Sequence, residues 1–352
     1  IVGGAVVNPA NPAQEALLAS VELFDPVTGT FEKLPDMDQA RAYHTATLLA
    51  DDTVLIVGGF GDVNGLRQPL GSWVRVAPTQ TDGSMYVFGA MSSGQGRAHH
   101  TATRLDNLDT IVVIAGGCVD TGCDSDSVSE SAMASGRSFT SIEVFDSATN
   151  TVSVANTSLI NPRAMHAATS LGNGFILFTG GIGTGGVAEC NVELYSYLRD
   201  TISLSGTLPE CPHLHQQITL SPESAMIIGG EIFAGSSTAD SNRVYIWRNG
   251  SIETSVISMN TARSRHQAAM LDDGSVVVIG GIRVAGGAVA ELISFQATVS
   301  GYVVGSVVTP PTQSRDWASA VKMPNNQVLI TGGRTAIDST MTVTDAEIFF
   351  GP

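Results

Sequence analysis

Histidine recurs in one register of the chain. His44, His100, His166, His215 and His266 occupy equivalent places, and four of them close an Arg-x-x-His tetrad opened by Arg41, Arg97, Arg163 and Arg263. Imidazoles gathered from several segments are the raw material of a metal centre. Two further histidines, His99 and His213, fall outside the register and have no partner legible in the sequence. Carboxylates form a second group: Asp120, Asp124, Asp126 and Glu130 follow one another within a stretch that also holds Cys118 and Cys123. Such oxygens suit calcium, but their spacing is not that of an EF-hand loop, so a solvated acidic loop is the plainer expectation. A third group repeats like the histidines: Glu22, Arg75, Glu143, Glu193, Arg243, Glu291 and Glu347 each sit near the start of a β-branched or aromatic run. Where Glu143, Glu193 and Glu291 accompany Arg97, Arg163 and Arg263, an Arg–carboxylate pair within each repeat is expected, as architecture rather than catalysis.

The elements that must position these groups also repeat. An apolar run ending in Gly-Gly occurs at Gly3-Gly4, Gly58-Gly59, Gly116-Gly117, Gly180-Gly181, Gly229-Gly230, Gly280-Gly281 and Gly332-Gly333. Each unit reads as Arg-x-x-His with a small or apolar stretch, then a run into the glycines such as Val276 to Ile279. A variable loop follows, then a third run such as Ile142 to Phe145, and a fourth after a tight turn. Short apolar runs bounded by Gly, Pro, Asn and Asp predict strands joined by turns, and no segment carries a helical period. Four antiparallel strands per ~50 residues is one blade of a β-propeller.

The paired glycines, the Glu-apolar-aromatic strand and the period together resemble the kelch family, over essentially the whole chain. The resemblance implies an all-β, seven-bladed propeller in one domain, with blades at about 1–37, 38–92, 93–160, 161–210, 211–259, 260–309 and 310–352. It implies no single activity. The chain departs from the pattern in lacking most fourth-strand tryptophans, in having Pro212 for the opening arginine of blade five, and in placing Trp317 where histidine is expected in blade seven. Both terminal blades are incomplete, which leads to the expectation that at least one more strand lies upstream in a longer protein. On a seven-bladed ring the five histidines stand too far apart to reach one zinc at ~2 Å. Their expected role is to bond neighbouring loops, and no metal is assigned.

Composition narrows the partners. The net charge is −16, and Lys33 and Lys322 are the only lysines, so nucleic acid and anionic membranes are poor partners. No apolar run approaches the ~20 residues of a membrane-spanning helix. Cys190 precedes a third strand and Cys211 follows the fourth of the same blade, ends that antiparallel pairing brings together. Cys118 and Cys123 flank a short loop. Two local disulfides and hence an oxidising, extracytoplasmic setting are expected; reduced thiols or a Cys/His metal site are the alternatives. Asn156-Thr157-Ser158 and Asn249-Gly250-Ser251 fit the N-glycosylation pattern. Ile1-Val2-Gly3-Gly4 resembles the amino terminus of an activated chymotrypsin-like protease, yet it matches the chain's own repeat and no nucleophile motif accompanies it.

The expected function is a non-enzymatic binding or assembly module, part of a larger protein or surface complex. It would present propeller loops, above all the acidic loop of blade three, to a protein or glycan. The alternative is a sugar-acting enzyme, mutarotase- or oxidase-like, with acid–base groups in a pocket at one channel mouth.

Overall fold

The computed structural model describes residues 1–7, 15–80, 84–120, 137–234, 237–253, 257–282, 292–298, 301–304, 315, 317–334 and 345–350. Among them the chain is all-β, its one helical element a single 3-10 turn at Pro324–Asn326. The strands form successive antiparallel sheets, and the arrangement is a β-propeller. In blade three, Thr101–Arg104, Ile111–Ala115, Ser141–Asp146 and Thr151–Ser158 lie side by side in chain order. The second strand is buried throughout and the fourth alternates exposed and half-buried. That gradient explains the sequence: an inner strand covered on both faces reads as a continuous apolar run, while an outer strand keeps its polar alternation.

Five sheets reach four strands or more among the described residues, where the sequence leads to seven blades. The shortfall falls at the ends. Blade one contributes Val21–Asp25 and Thr30–Leu34 with an isolated bridge from Val2 to Val21, and blade seven contributes Ser319–Met323, Gln327–Thr331 and Glu347–Phe350. In blade five the fourth strand is split into Ser251–Ile252 and Ile257–Ser258, both paired to Arg243–Arg248.

The chain divides into two compact units, residues 1–177, 182–187 and 193–203 in one and 178–181, 188–192 and 204–352 in the other. In the first, Leu55, Val57 and Trp73 of blade two pack against Val112, Ile114 and Phe145 of blade three, with Trp73 edge-on to Phe145 at 5.0 Å. In the second, Met226, Ile228 and Val244 of blade five pack against Val276, Val278 and Phe295 of blade six. Each such side chain, fully buried, stabilises by about 1.5–3 kcal/mol.

Successive blades are joined at the glycine pairs. The amides of Gly59 and Gly117 donate to the carbonyls of Arg97 and Arg163 of the next blade, each at 2.9 Å. In the second unit Gly181, Gly230 and Gly281 do the same to Pro212, Arg263 and Arg315 at 2.9–3.0 Å. Glycine is required there by space as well as by conformation. At Gly116, with φ 63°, a Cβ would lie 2.5 Å from the Arg163 carbonyl and 2.7 Å from the His166 ring.

Candidate functional site

The repeated arginines and histidines are framework. Arg97 is fully buried, donating to the Gly116 carbonyl at 3.1 Å and to Glu143 at 2.7 Å. Arg163 pairs with Glu193 and Arg315 with Glu347 in the same way. Among the described residues the pairs fall in blades three, four and seven. The Glu143 register is the residue facing the position two before the first glycine, Ile114. In blade six that place belongs to Ile293, opposite Val278, and Glu291 lies outside the described residues. Arg263 donates to the Gly280 carbonyl at 2.9 Å.

The same register corrects two other assignments. Val74 faces Ile56 and Tyr245 faces Ile227, so Arg75 and Arg243 each stand one or two places away from the glutamate position. Arg75 reaches Asp51, Thr53 and Asn150, while Arg41, with no acid opposite, bonds the Gly58 carbonyl at 3.0 Å and Ser72 at 3.3 Å. Glu22 is half-buried, and its carbonyl accepts from the Ile1 amine at 2.7 Å. In blade seven the histidine's place belongs to Ala318, three residues after Arg315, and Trp317 is the residue before it.

Three of the histidines meet threonine across blades, while His44 bonds backbone at Val2 and Arg41, as expected of the repeat. Thr45 meets His100 Nε2 at 3.0 Å, Thr101 meets His166 Nε2 at 3.0 Å, and in the second unit Thr179 meets His215 Nε2 at 2.9 Å. Burial, with the neighbouring arginine second, pushes His44 down to about 4 and His266 to about 3, so both rings are neutral at physiological pH.

The third residue of each tetrad behaves differently. Tyr43, His99, Met165, Leu214, Arg265 and Trp317 all hold φ between 52° and 57°, the left-handed region that side chains rarely adopt. In the first unit the His99 amide donates to the Tyr43 carbonyl at 3.2 Å and Met165 to His99 at 3.0 Å. In the second, Arg265 donates to Leu214 at 3.0 Å. An identical strained backbone thus presents a different side chain from each blade, the combination found where function is carried on a fixed scaffold.

Blade five adds a pair of titratable groups to this layer. The second tetrad residue bridges the residue after the glycine pair, and the couples are Ala42 with Phe60, Ala98 with Cys118, Ala164 with Ile182 and Ser264 with Ile282. In blade five they are His213 and Glu231. His213 is completely buried, stacked on Phe233 at 5.3 Å, and neither ring nitrogen has a hydrogen-bond partner. Burial, with His215 and Arg265 contributing, pushes it down to about 3. Glu231 is buried too, and burial raises its carboxyl above the usual range against the opposing pull of Arg265. Arg265 Nη2 stands 3.5 Å from Glu231 Oε2, with its guanidinium 5.4 Å from the Trp317 ring centre. The cluster therefore combines an acid of raised pKa, a neutral imidazole with an unused donor and acceptor, a cation and an aromatic face.

Of the residues singled out in the sequence, His213 and Trp317 belong to this cluster. Glu231 and Arg265 were hidden, although aligning the repeats exposes them: Ala, Ala, Ala and Ser stand where His213 does, and Phe, Cys, Ile and Ile where Glu231 does. Asp120 forms an ion pair with Arg137 at 3.5 Å. Asp124, Asp126, Glu130 and Cys123 lie outside the described residues, and with them the acidic-loop site and the Cys118–Cys123 bridge. The Cys190–Cys211 disulfide is present, with its Cα atoms 4.3 Å apart. No three of His, Cys, Asp and Glu gather as a metal site among the described residues.

No family model matches the chain, and no curated protein does either. Solved structures do. One is YjhT, with TM-score 0.62 and 15% identity over 86% of this chain and 97% of its own. Another is a fungal alcohol oxidase of the AA5 family in complex with copper, with TM-score 0.67 and 14% identity over 95% of this chain and 67% of its own. At such identities the likeness shows the fold alone, and that fold is the β-propeller.

Proposed function

We propose that this chain is an enzyme acting on a small polyhydroxylated substrate, a sugar or related alcohol, by proton transfer at the blade-five cluster. Of the two readings left open by the sequence, the site favours the enzyme over the loop-presenting binding module. The observation that carries this is the His213–Glu231 couple: two buried titratable groups, one with both ring nitrogens unpaired, at a bridge that is apolar or small in the other described blades. The other described blades close the same bridge with Ala, Ser, Phe, Cys and Ile, so the framework does not require a titratable pair there. The alcohol oxidase among the structural neighbours supports the substrate class by analogy of fold only.

In the proposed reaction Glu231 takes the proton of a substrate hydroxyl and returns it, its raised pKa bringing it toward working pH. On a reducing sugar, loss of the anomeric hydroxyl proton and protonation of the ring oxygen break the bond from C1 to the ring oxygen and give the aldehyde, and the reverse transfers close the ring on either face. His213 offers one donor and one acceptor to substrate hydroxyls, Arg265 steadies the carboxylate, and Trp317 gives an apolar face to the ring. The framework is read as kelch-type repeats in seven blades, and the disulfide supports an oxidising, extracytoplasmic compartment.

The test is NMR exchange between the anomers of reducing hexoses and N-acetylhexosamines with purified protein. Acceleration over buffer is expected, and Glu231→Gln should lower it at least a hundredfold. No acceleration with any sugar would sink the reading; hydrogen peroxide released from the same compounds would instead point to oxidation.

A further inference from the structure

Blade five lacks the device that holds the tetrad elsewhere. In blades three and four the opening arginine is clamped to a glutamate of the third strand, and Arg97 also grips the Gly116 carbonyl. In blade five Pro212 takes the arginine's place and Tyr245 the glutamate's. Tyr245 bonds Glu210 instead, and its hydroxyl is pushed up to about 12, chiefly by burial and then by that carboxylate. Ser241 donates to the same Glu210 at 2.5 Å. Next in the chain comes Cys211, covalently bound to Cys190, and then Pro212 and His213. The Leu208 amide closes the same corner on the Cys190 carbonyl at 2.9 Å.

We infer that the Cys190–Cys211 bridge replaces the missing ionic clamp and holds His213 against Glu231, so that the cluster is assembled only while the disulfide is oxidised. The inference rests on the reading of that couple as the working pair. The disulfide is anchored two residues from His213, and beyond the hairpin of Gln216–Ser221 with Ser224–Ile228 the His213 segment meets its partner at one isolated bridge, His213 N to Glu231 O at 2.9 Å and Glu231 N to His213 O at 2.8 Å. Thiol exchange with a dithiol reductant breaks the S–S bond, leaving two cysteine thiols and the oxidised reductant. The corner then retains the Glu210 contacts and the backbone bonds of Leu208 to Cys190 and of Gly181 to Pro212, none of them covalent.

The experiment is amide hydrogen exchange together with NMR titration of the histidine rings. It compares oxidised wild type, wild type with dithiothreitol, and the Cys190→Ala/Cys211→Ala variant, which leaves Cys118 and Cys123 untouched. On losing the bridge, the amides of His213 and Glu231 should exchange at least tenfold faster and the His213 ring should titrate closer to 6.5. The amides of Ala42 and Phe60, at the equivalent bridge of blade two, should not change. Unaltered exchange and titration at His213 would overturn the inference. So would a uniform rise through every blade, which would make the bridge a general staple. If the variant fails to fold, reduced wild type gives the same two readouts. Neither uses a substrate, so absence of sugar turnover would defeat the proposed function without touching this result.

Discussion

Blades three and five share one backbone plan and are filled in opposite ways. In blade three the tetrad and third strand carry Arg97 and Glu143, both fully buried and paired at 2.7 Å, while the bridge beside them holds Ala98 and Cys118. In blade five the ionic positions have become Pro212 and Tyr245, and the charge has moved to the bridge, as His213 and Glu231. The first arrangement compensates every charge. Glu143 accepts from Arg97 and from the Ser92 amide at 2.9 Å, which suits a group that fixes register. The second leaves imidazole nitrogens unbonded and a carboxyl of raised pKa, which suits groups that must exchange partners. Blade three thus carries a paired charge within its framework, and blade five carries a titratable pair at the bridge instead.

The comparison is broken most severely by removing one partner of the blade-three pair. Glu143→Ala leaves Arg97 buried without its counter-charge and should cost about 3–5 kcal/mol, read as a lowered urea midpoint. Glu231→Gln, which removes a buried charge of raised pKa, should stay within about 1 kcal/mol of wild type. Equal losses for the two would abolish the distinction.

Acid sharpens the contrast next. His213 and His266 are each pushed down to about 3 in the folded chain, against about 6.5 unfolded. Their stabilisation is therefore complete above pH 6.5 and is lost as the pH falls toward 3, because the unfolded chain binds the proton first. Each contributes a slope of about 1.4 kcal/mol per pH unit in that window. Urea unfolding of His213→Phe at pH 6, 5 and 4 should show a shallower loss than wild type by about that amount. An unchanged slope would mean that His213 is solvated in solution.

The smallest effect concerns the stitching between blades. Thr101→Val removes the hydroxyl that meets His166 Nε2 at 3.0 Å and should cost about 1 kcal/mol by thermal unfolding. Activity at blade five should be unaffected.

Much of the fold was legible because it rests on local rules. Gly-Gly at φ values closed to other residues, β-branched inner strands and turn residues between them recur often enough to be read without coordinates. The Cys190–Cys211 pairing followed from strand order alone. Register was less accessible. A shift of one or two residues puts a side chain at another place on the strand, so Arg75 and Arg243 looked equivalent to Glu143 while standing beside that position. Arg315 and its pair with Glu347 went unseen because the count in blade seven was anchored on Trp317 rather than on Ala318.

The sequence by itself determined that this chain repeats and that the repeat is a four-stranded antiparallel unit. Tertiary structure alone decided which residues meet. Arg97 finds Glu143 across the width of a blade, and His213 finds Glu231 because the hairpin that turns between Ser221 and Ser224 carries its register on past Gly229-Gly230. It also decided which charges are compensated, since the neighbours that desolvate or pair a side chain come from distant segments. That compensation depends on burial and distance, and neither is written in the order of the residues.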